Sequence, residues 1–258
     1  MYEFDIEKPS TIDEAVAALA SDEAQALGGG QTLIPTLKQR LAAPGVLVSL
    51  GGIDALKGIR PEGDTLVIGA GTCHADVAAD GTIPALSALA AGIGDPAVRN
   101  RGTIGGSLAN NDPSACYPAG VLGLGATVVT NQREIGAGDF FTGLFETALE
   151  DGEIITAVKL PRPEAAAYVK FEQPASRFAL VGVFVSRTGT EVRVAVTGAS
   201  EDGVFRWTEA EAALSANFAP DALDGMSPDG DMISDIHGSA EYRAHLVAVL
   251  TKRAVAAC

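Results

Sequence analysis

Cysteine is scarce in this 258-residue chain, with residues only at positions 73, 116 and 258 and no Cys-x-x-Cys pair among them. That spacing argues against a zinc site or an iron–sulfur cluster held by this chain, and it fits a reducing, cytoplasmic compartment. Histidine is equally thin. His74, His237 and His245 are scattered and form neither a His-x-His nor a His-Glu-x-x-His pattern, so no metal ligand is assigned. Positive charge is short as well: 18 Lys and Arg stand against 33 Asp and Glu, a formal net charge of −15. A surface of that sign opposes binding to phosphate backbones, which depends on clustered cations. No apolar run reaches the roughly 18 to 20 residues of a membrane span; the longest glycine-laced candidate, Ala119 to Val129, is interrupted and too short. The opening Met1-Tyr2-Glu3-Phe4-Asp5 lacks a basic and then apolar leader, so export by its own signal is not expected and a soluble protein is.

Several nucleotide and hydrolase signatures are also missing. There is no Gly-x-Gly-x-x-Gly at the glycine loops and no Gly-Lys dipeptide, which removes the Rossmann fingerprint and the P-loop. Ser107, Ser114 and Ser176 lack a Gly-x-Ser-x-Gly setting, so no nucleophile or other catalytic residue is assigned. What is present is a chain 47% hydrophobic and 20% charged with 30 glycines, the composition of a turn-rich globular protein with an aliphatic core. Its length suits one large domain or two or three small ones.

Two glycine segments stand out. Leu27-Gly28-Gly29-Gly30-Gln31-Thr32-Leu33-Ile34 follows a short apolar run, and Arg101-Gly102-Thr103-Ile104-Gly105-Gly106-Ser107 lies about seventy residues further on. Glycine lets the main chain approach a ligand closely, and successive amides in a tight turn form an anion nest. Two such loops suit a pyrophosphate.

The surrounding pattern predicts a strand over 3–6 and a helix starting at Thr11, where Thr11 and Glu14 have capping-box spacing. A buried strand over 24–27 leads into the triple glycine, followed by a helix over 32–40. Strands are expected over 46–50, 65–68, 126–130 and 154–160, a turn at 61–64, and a helix over 84–91. Pro161 to Glu164 reads as a linker, and strands over 181–187 and 191–197 flank the hairpin turn Thr188-Gly189-Thr190. Ser239 is positioned to cap a last helix with Tyr242, Leu246, Val249 and Leu250 on one side.

Four segments in order carry a family resemblance: Gly28-Gly29-Gly30-Gln31-Thr32-Leu33-Ile34-Pro35; Arg99-Asn100-Arg101-Gly102-Thr103-Ile104-Gly105-Gly106; the stretch from Tyr168-Val169-Lys170-Phe171 to Arg177-Phe178-Ala179; and Asp235-Ile236-His237-Gly238-Ser239-Ala240-Glu241-Tyr242-Arg243. On these the chain resembles the FAD-binding medium subunit of the molybdenum hydroxylases, the carbon monoxide dehydrogenase and xanthine dehydrogenase family. The resemblance implies an α/β (α+β) fold: a two-subdomain FAD-binding unit of the PCMH type over 1–60 and 61–163, then a C-terminal antiparallel sheet with helices over 164–258. It implies FAD as cofactor, with the pyrophosphate held by Leu27, Gly28, Gly29, Gly30, Gln31, Thr32, Leu33 and Ile34 and by Thr103, Ile104, Gly105, Gly106 and Ser107. Asp112 is a candidate for a ribose or amide contact, or else a turn cap before Pro113. Cys116 stands where the family usually has Asp, thirteen residues beyond Thr103, and replaces a carboxylate with a weak donor and acceptor. Ile155 and Lys170 align with positions near the flavin, where a lysine would favour reduced, anionic flavin. His74 could suggest a covalent flavin link, but a lone histidine does not carry that reading.

The resemblance further implies electron transfer. A small [2Fe–2S] subunit would deliver electrons to FAD on this chain, a large molybdenum-cofactor subunit would hydroxylate substrate, and the assembly would be a dimer of heterotrimers serving an external acceptor. The complex would be cytoplasmic, with any membrane contact peripheral. A stand-alone FAD-dependent oxidoreductase and a non-enzymatic, degenerate nucleotide-binding subunit stay open beside it.

Overall fold

The computed structural model describes residues 1–258 and builds three main sheets in sequence order, with one two-stranded sheet besides. The first unit runs β1 (Asp5–Glu7), α1 (Ile12–Ala18), β2 (Ala24–Leu27), α2 (Leu33–Lys38) and β3 (Val46–Ser49), with all three strands parallel in the order β1-β3-β2. The expected capping box forms: Glu14 N–H donates to Thr11 Oγ1 at 3.2 Å and the Glu14 carboxylate accepts from Thr11 N–H. β2 has the expected bounds but is not buried. It lies at the sheet edge, with Gln25 and Ala26 exposed.

The second unit comprises β4 (Ile59–Glu62), β5 (Thr65–Gly69), α3 (His74–Asp80), α4 (Pro84–Ala91), α5 (Pro96–Arg99), α6 (Ile104–Asn110), α7 (Cys116–Gly123), β6 (Thr127–Thr130), β7 (Glu134–Gly136), α8 (Ala137–Phe140), the short pair β8 (Phe141–Gly143) and β9 (Glu146–Thr147), and β10 (Ile155–Pro161). Its sheet is antiparallel in the order β4-β5-β10-β6-β7. Every residue of α7 is buried, which explains its lack of an amphipathic pattern. Its glycines allow that position: a Cβ at Gly120 would come within 2.9 Å of Leu89 Cδ1, and one at Gly123 within 2.8 Å of Phe184 Cδ1. α7 is thereby wedged between α4 and the third sheet, and its first residue is Cys116.

The third unit is a meander of β11 (Ala165–Glu172), β12 (Ala179–Thr188), β13 (Glu191–Ser200) and β14 (Gly203–Arg206), covered by α9 (Thr208–Ala216) and α10 (Ala240–Ala257). The hairpin over 188–190 forms with longer arms than the alternation predicts, because β12 is buried from Ala179 through Ser186 and so shows no period-two signal. Ser239 caps α10, its Oγ accepting from Tyr242 N–H at 3.2 Å. The inward stripe differs from expectation. It runs through Arg243, Leu246, Val247, Leu250, Thr251 and Ala254, whereas Tyr242 is exposed and Val249 only half-buried. Arg243 disguises the stripe in the sequence. Its two terminal guanidinium nitrogens donate to the carbonyls of Leu180 and Gly198 and pair with Asp235, while the buried Nε has no partner, so a largely hydrogen-bonded cation occupies a core position.

Candidate cofactor site

The first glycine loop leaves the exposed end of β2 and turns into α2, with Gly30 at φ 72° providing the left-handed step. None of the amides from Gly28 to Thr32 donates to an acceptor in the chain. Consecutive unbonded amides at a turn are the donor set an anion requires.

The second loop connects α5 to α6 and is organised differently. Ile104 N–H donates to Thr72 O at 3.1 Å, Gly105 N–H to Ala70 O at 2.9 Å, and Gly106 N–H to Thr103 Oγ1 at 3.1 Å. Those amides are already engaged, so this loop offers a ligand the Thr103 amide and the hydroxyls of Thr103 and Ser107. Gly105 is glycine because a Cβ there would come within 2.5 Å of Ala70 Cβ, which fastens α6 to the end of β5.

The two loops are in van der Waals contact. A Cβ on Gly29 would come within 2.6 Å of the Arg101 carbonyl carbon and 2.7 Å of Gly102 Cα, with the Arg101 carbonyl oxygen nearer still. A Cβ on Gly28 would lie 3.2 Å from Thr103 Oγ1. The separate sequence motifs therefore form one continuous cradle.

That cradle lines a cleft of about 1210 Å³, large for a drug-sized ligand and suited to a dinucleotide. Leu27 to Leu33, Thr103, Gly105, Gly106, Ser107, Asp112, Cys116 and Ile155 line it. Ile34, Ile104 and Lys170 do not. Ile104 is fully buried in the central core beneath the second loop. Asp112 also closes a local turn, its Oδ1 accepting from Ser114 N–H at 2.8 Å. Lys170 sits behind Cys116, donating to the carbonyls of Gly92 and Arg177, both at 2.6 Å.

Other lining groups are not assigned to the site by the sequence pattern. Ser176, Arg177 and Phe178, from the turn between β11 and β12, reach the cleft from the third unit. His237 Nδ1 is 2.8 Å from Gln173 Nε2 and its ring meets Phe178 edge-on at 5.5 Å, so one distant residue braces both ends of that turn. Glu153 is held at the rim: its side chain is fully buried and accepts from Arg133 Nε at 3.0 Å and Thr130 Oγ1 at 2.7 Å. The Arg133 bond holds its carboxyl down at about 2.

His74 opens α3 at the cleft wall. It is 95% buried, and burial, aided by the nearby Arg99 cation, lowers it to about 4, so its imidazole is neutral at pH 7. Its Nδ1 has no partner in the chain, and its ring lies 5.2 Å from that of Tyr117. The donor set, the glycine cradle and the volume together fit FAD. No cluster of His, Cys, Asp and Glu that could hold a metal ion occurs in the fold.

Comparison with known proteins gives concordant matches. Residues 2–163 match the model for the FAD binding domain in molybdopterin dehydrogenase, and residues 166–258 the model for the CO dehydrogenase flavoprotein C-terminal domain. The nicotine 6-hydroxylase medium subunit of Paenarthrobacter nicotinovorans is 36% identical, covering 96% of this chain and 94% of its own length. The carbon monoxide dehydrogenase medium chain of Afipia carboxidovorans is likewise 36% identical, covering 98% of this chain and 95% of its own. In solved structures, a chain of reconstituted CO dehydrogenase from Oligotropha carboxidovorans superposes with a TM-score of 0.91 at 32% identity, covering 99% of this chain and 97% of that one.

Proposed function

Since the chain belongs to the FAD-binding medium-subunit family of the molybdenum hydroxylases, we propose that it takes electrons from [2Fe–2S] clusters of a partner subunit and passes them through FAD to an external acceptor. The observation that carries this reading is the row of unbonded amides from Gly28 to Thr32, abutting the second loop across the Gly29–Arg101 contact. When bound, FAD supplies a ring that accepts single electrons and releases one or two. The chain's own part is positional. The Gly28–Thr32 amides would hold the pyrophosphate, the Thr103 and Ser107 hydroxyls would fix its register, and Phe178 would close one side of the cleft and exclude water. No side chain need act as acid or base.

The proposed organisation is residues 1–60 and 61–163 as the two FAD-binding subdomains and 164–258 as the C-terminal domain. The proposed partners are a large molybdenum-cofactor subunit and a small [2Fe–2S] subunit, in a dimer of heterotrimers within the cytoplasm. The names of the relatives support leaving substrate choice to a partner, because nicotine and carbon monoxide share no recognisable chemistry. Co-expression with the neighbouring subunits, followed by anaerobic mixing of the assembled enzyme with substrate, tests the proposal. Bleaching of the flavin band after that of the clusters supports it; flavin that stays oxidised while the clusters are reduced refutes it.

A further inference from the structure

Lys170 and Cys116 form a contact that the sequence did not foretell. The ammonium has three protons, and three acceptors surround it: Gly92 O and Arg177 O, both at 2.6 Å, and Cys116 Sγ at 3.9 Å. Those acceptors belong to the end of α4, the turn after β11 and the start of α7. Arg177 and Cys116 line the cleft themselves, as do Ile93 and Gly94 next to Gly92. The lysine is therefore pinned behind the cleft wall.

No carboxylate pairs with it, and its partners are two neutral carbonyls and a thiol. Glu172, two residues along the same strand, is exposed and forms no ion pair with it; its charge reaches the Cys116 thiol only as a minor effect beside burial. Tyr168, two residues the other way, is uncharged, its hydroxyl buried without a nitrogen or oxygen partner. Burial pushes the Cys116 thiol up, so it remains protonated and supplies no counter-charge. An aspartate at 116 would supply one.

Resting on FAD as the occupant of the cleft, we infer that Lys170 and Cys116 together form a potential-setting pair: a fixed, unneutralised positive charge in the cofactor wall that favours the reduced flavin. Lys170 is a positioning and electrostatic residue with no direct contact to the cleft. Cys116 is the neutral spacer that leaves the charge active. A cation so placed attracts the negative charge gained on reduction, and a carboxylate beside it would cancel that attraction.

The test uses the FAD-loaded full chain and its Lys170→Met, Lys170→Arg, Cys116→Asn and Cys116→Asp variants, with midpoint potentials measured against reference dyes. Lys170→Arg and Cys116→Asn are expected to match the wild type. Lys170→Met and Cys116→Asp are expected to reduce the affinity for reduced relative to oxidised flavin about tenfold, a negative shift of about 30 mV for a two-electron couple. Equal potentials for Cys116→Asp and Cys116→Asn with flavin bound would overturn the inference, since the pair differs in charge and hardly in shape. A second readout needs no flavin: alkylation of Cys116 by iodoacetamide, followed on its own peptide by mass spectrometry. Lys170→Met should slow it severalfold at pH 8 and Lys170→Arg should not; equal rates in both would show that the charge does not reach the thiol. A wild-type chain that binds no flavin either alone or assembled with its partner subunits would refute the proposed function itself, and is told apart from these outcomes before any potential is measured.

Discussion

Replacing Gly29 with alanine places one methyl group where the two glycine loops touch. Its Cβ would come within 2.6 Å of the Arg101 carbonyl carbon and 2.7 Å of Gly102 Cα, far inside van der Waals contact. Both obstacles are backbone, so neither can rotate aside, and the loops must separate. Overpacking of this kind costs about 1–3 kcal/mol. Gly28 is exposed and Gly29 half-buried, so the fold can absorb the displacement at the surface. A ligand that bridges both loops cannot, because its donors on the two sides would no longer be in reach together. FAD affinity should therefore fall about fivefold to 150-fold, while the melting temperature changes by no more than a few degrees. Gly138→Ala is the control, since its Cβ meets nothing within 4 Å. Fluorescence-quenching titration of FAD measures both variants. A Gly29→Ala dissociation constant within twofold of the wild type would refute the single-cradle geometry.

Three further outcomes follow, two from buried polar groups and one from a packed glycine. His74 binds its proton below about 4 in the folded chain but near 6.5 when unfolded, so stability is full above pH 6.5 and declines as pH falls towards 4, by about 3 kcal/mol; urea melts should show this slope, and His74→Gln should flatten it. Glu153 is likewise depressed, to about 2, so its contribution is full above about pH 4.5 and is lost as pH falls through 2. Because Arg133 is 42% exposed and solvent screens the pair, Glu153→Gln should cost about 2 kcal/mol at pH 7 in the same melts, and no loss would show the network to be idle. Gly105→Asp should unfold or strongly destabilise the chain, because its side chain would be driven into the backbone at Ala70, and a normal melting temperature would contradict that packing.

Local chemistry made much of the fold legible. The capping box at Thr11, the helix over 84–91 and the turn of the hairpin at Gly189 are encoded by neighbours in sequence and form where the pattern places them. Burial has a weaker local signature. β2 looked like a core strand but occupies a sheet edge beside the cleft, and sheet order has no local signature. Arg243 hid the inward stripe of α10 because its acceptors, Leu180 O and Gly198 O, are distant in sequence. The site divides the same way. Glycine-rich loops announce themselves, whereas Phe178, Glu153 and His74 become cleft residues only through packing. The resemblance places Lys170 beside the flavin; its ammonium instead points at two carbonyls behind Cys116, an arrangement set by the packing of β11 against α4 and by the turn after β11.

The central claim is that the paired loops hold one FAD, and equilibrium titration of the purified, deflavinated chain with FAD tests it most directly. Saturable quenching at one FAD per chain is expected, competed by ADP, whose pyrophosphate would occupy the same amides. Absence of saturable binding by the chain both alone and assembled with its partner subunits, or binding that ADP leaves untouched, would contradict it.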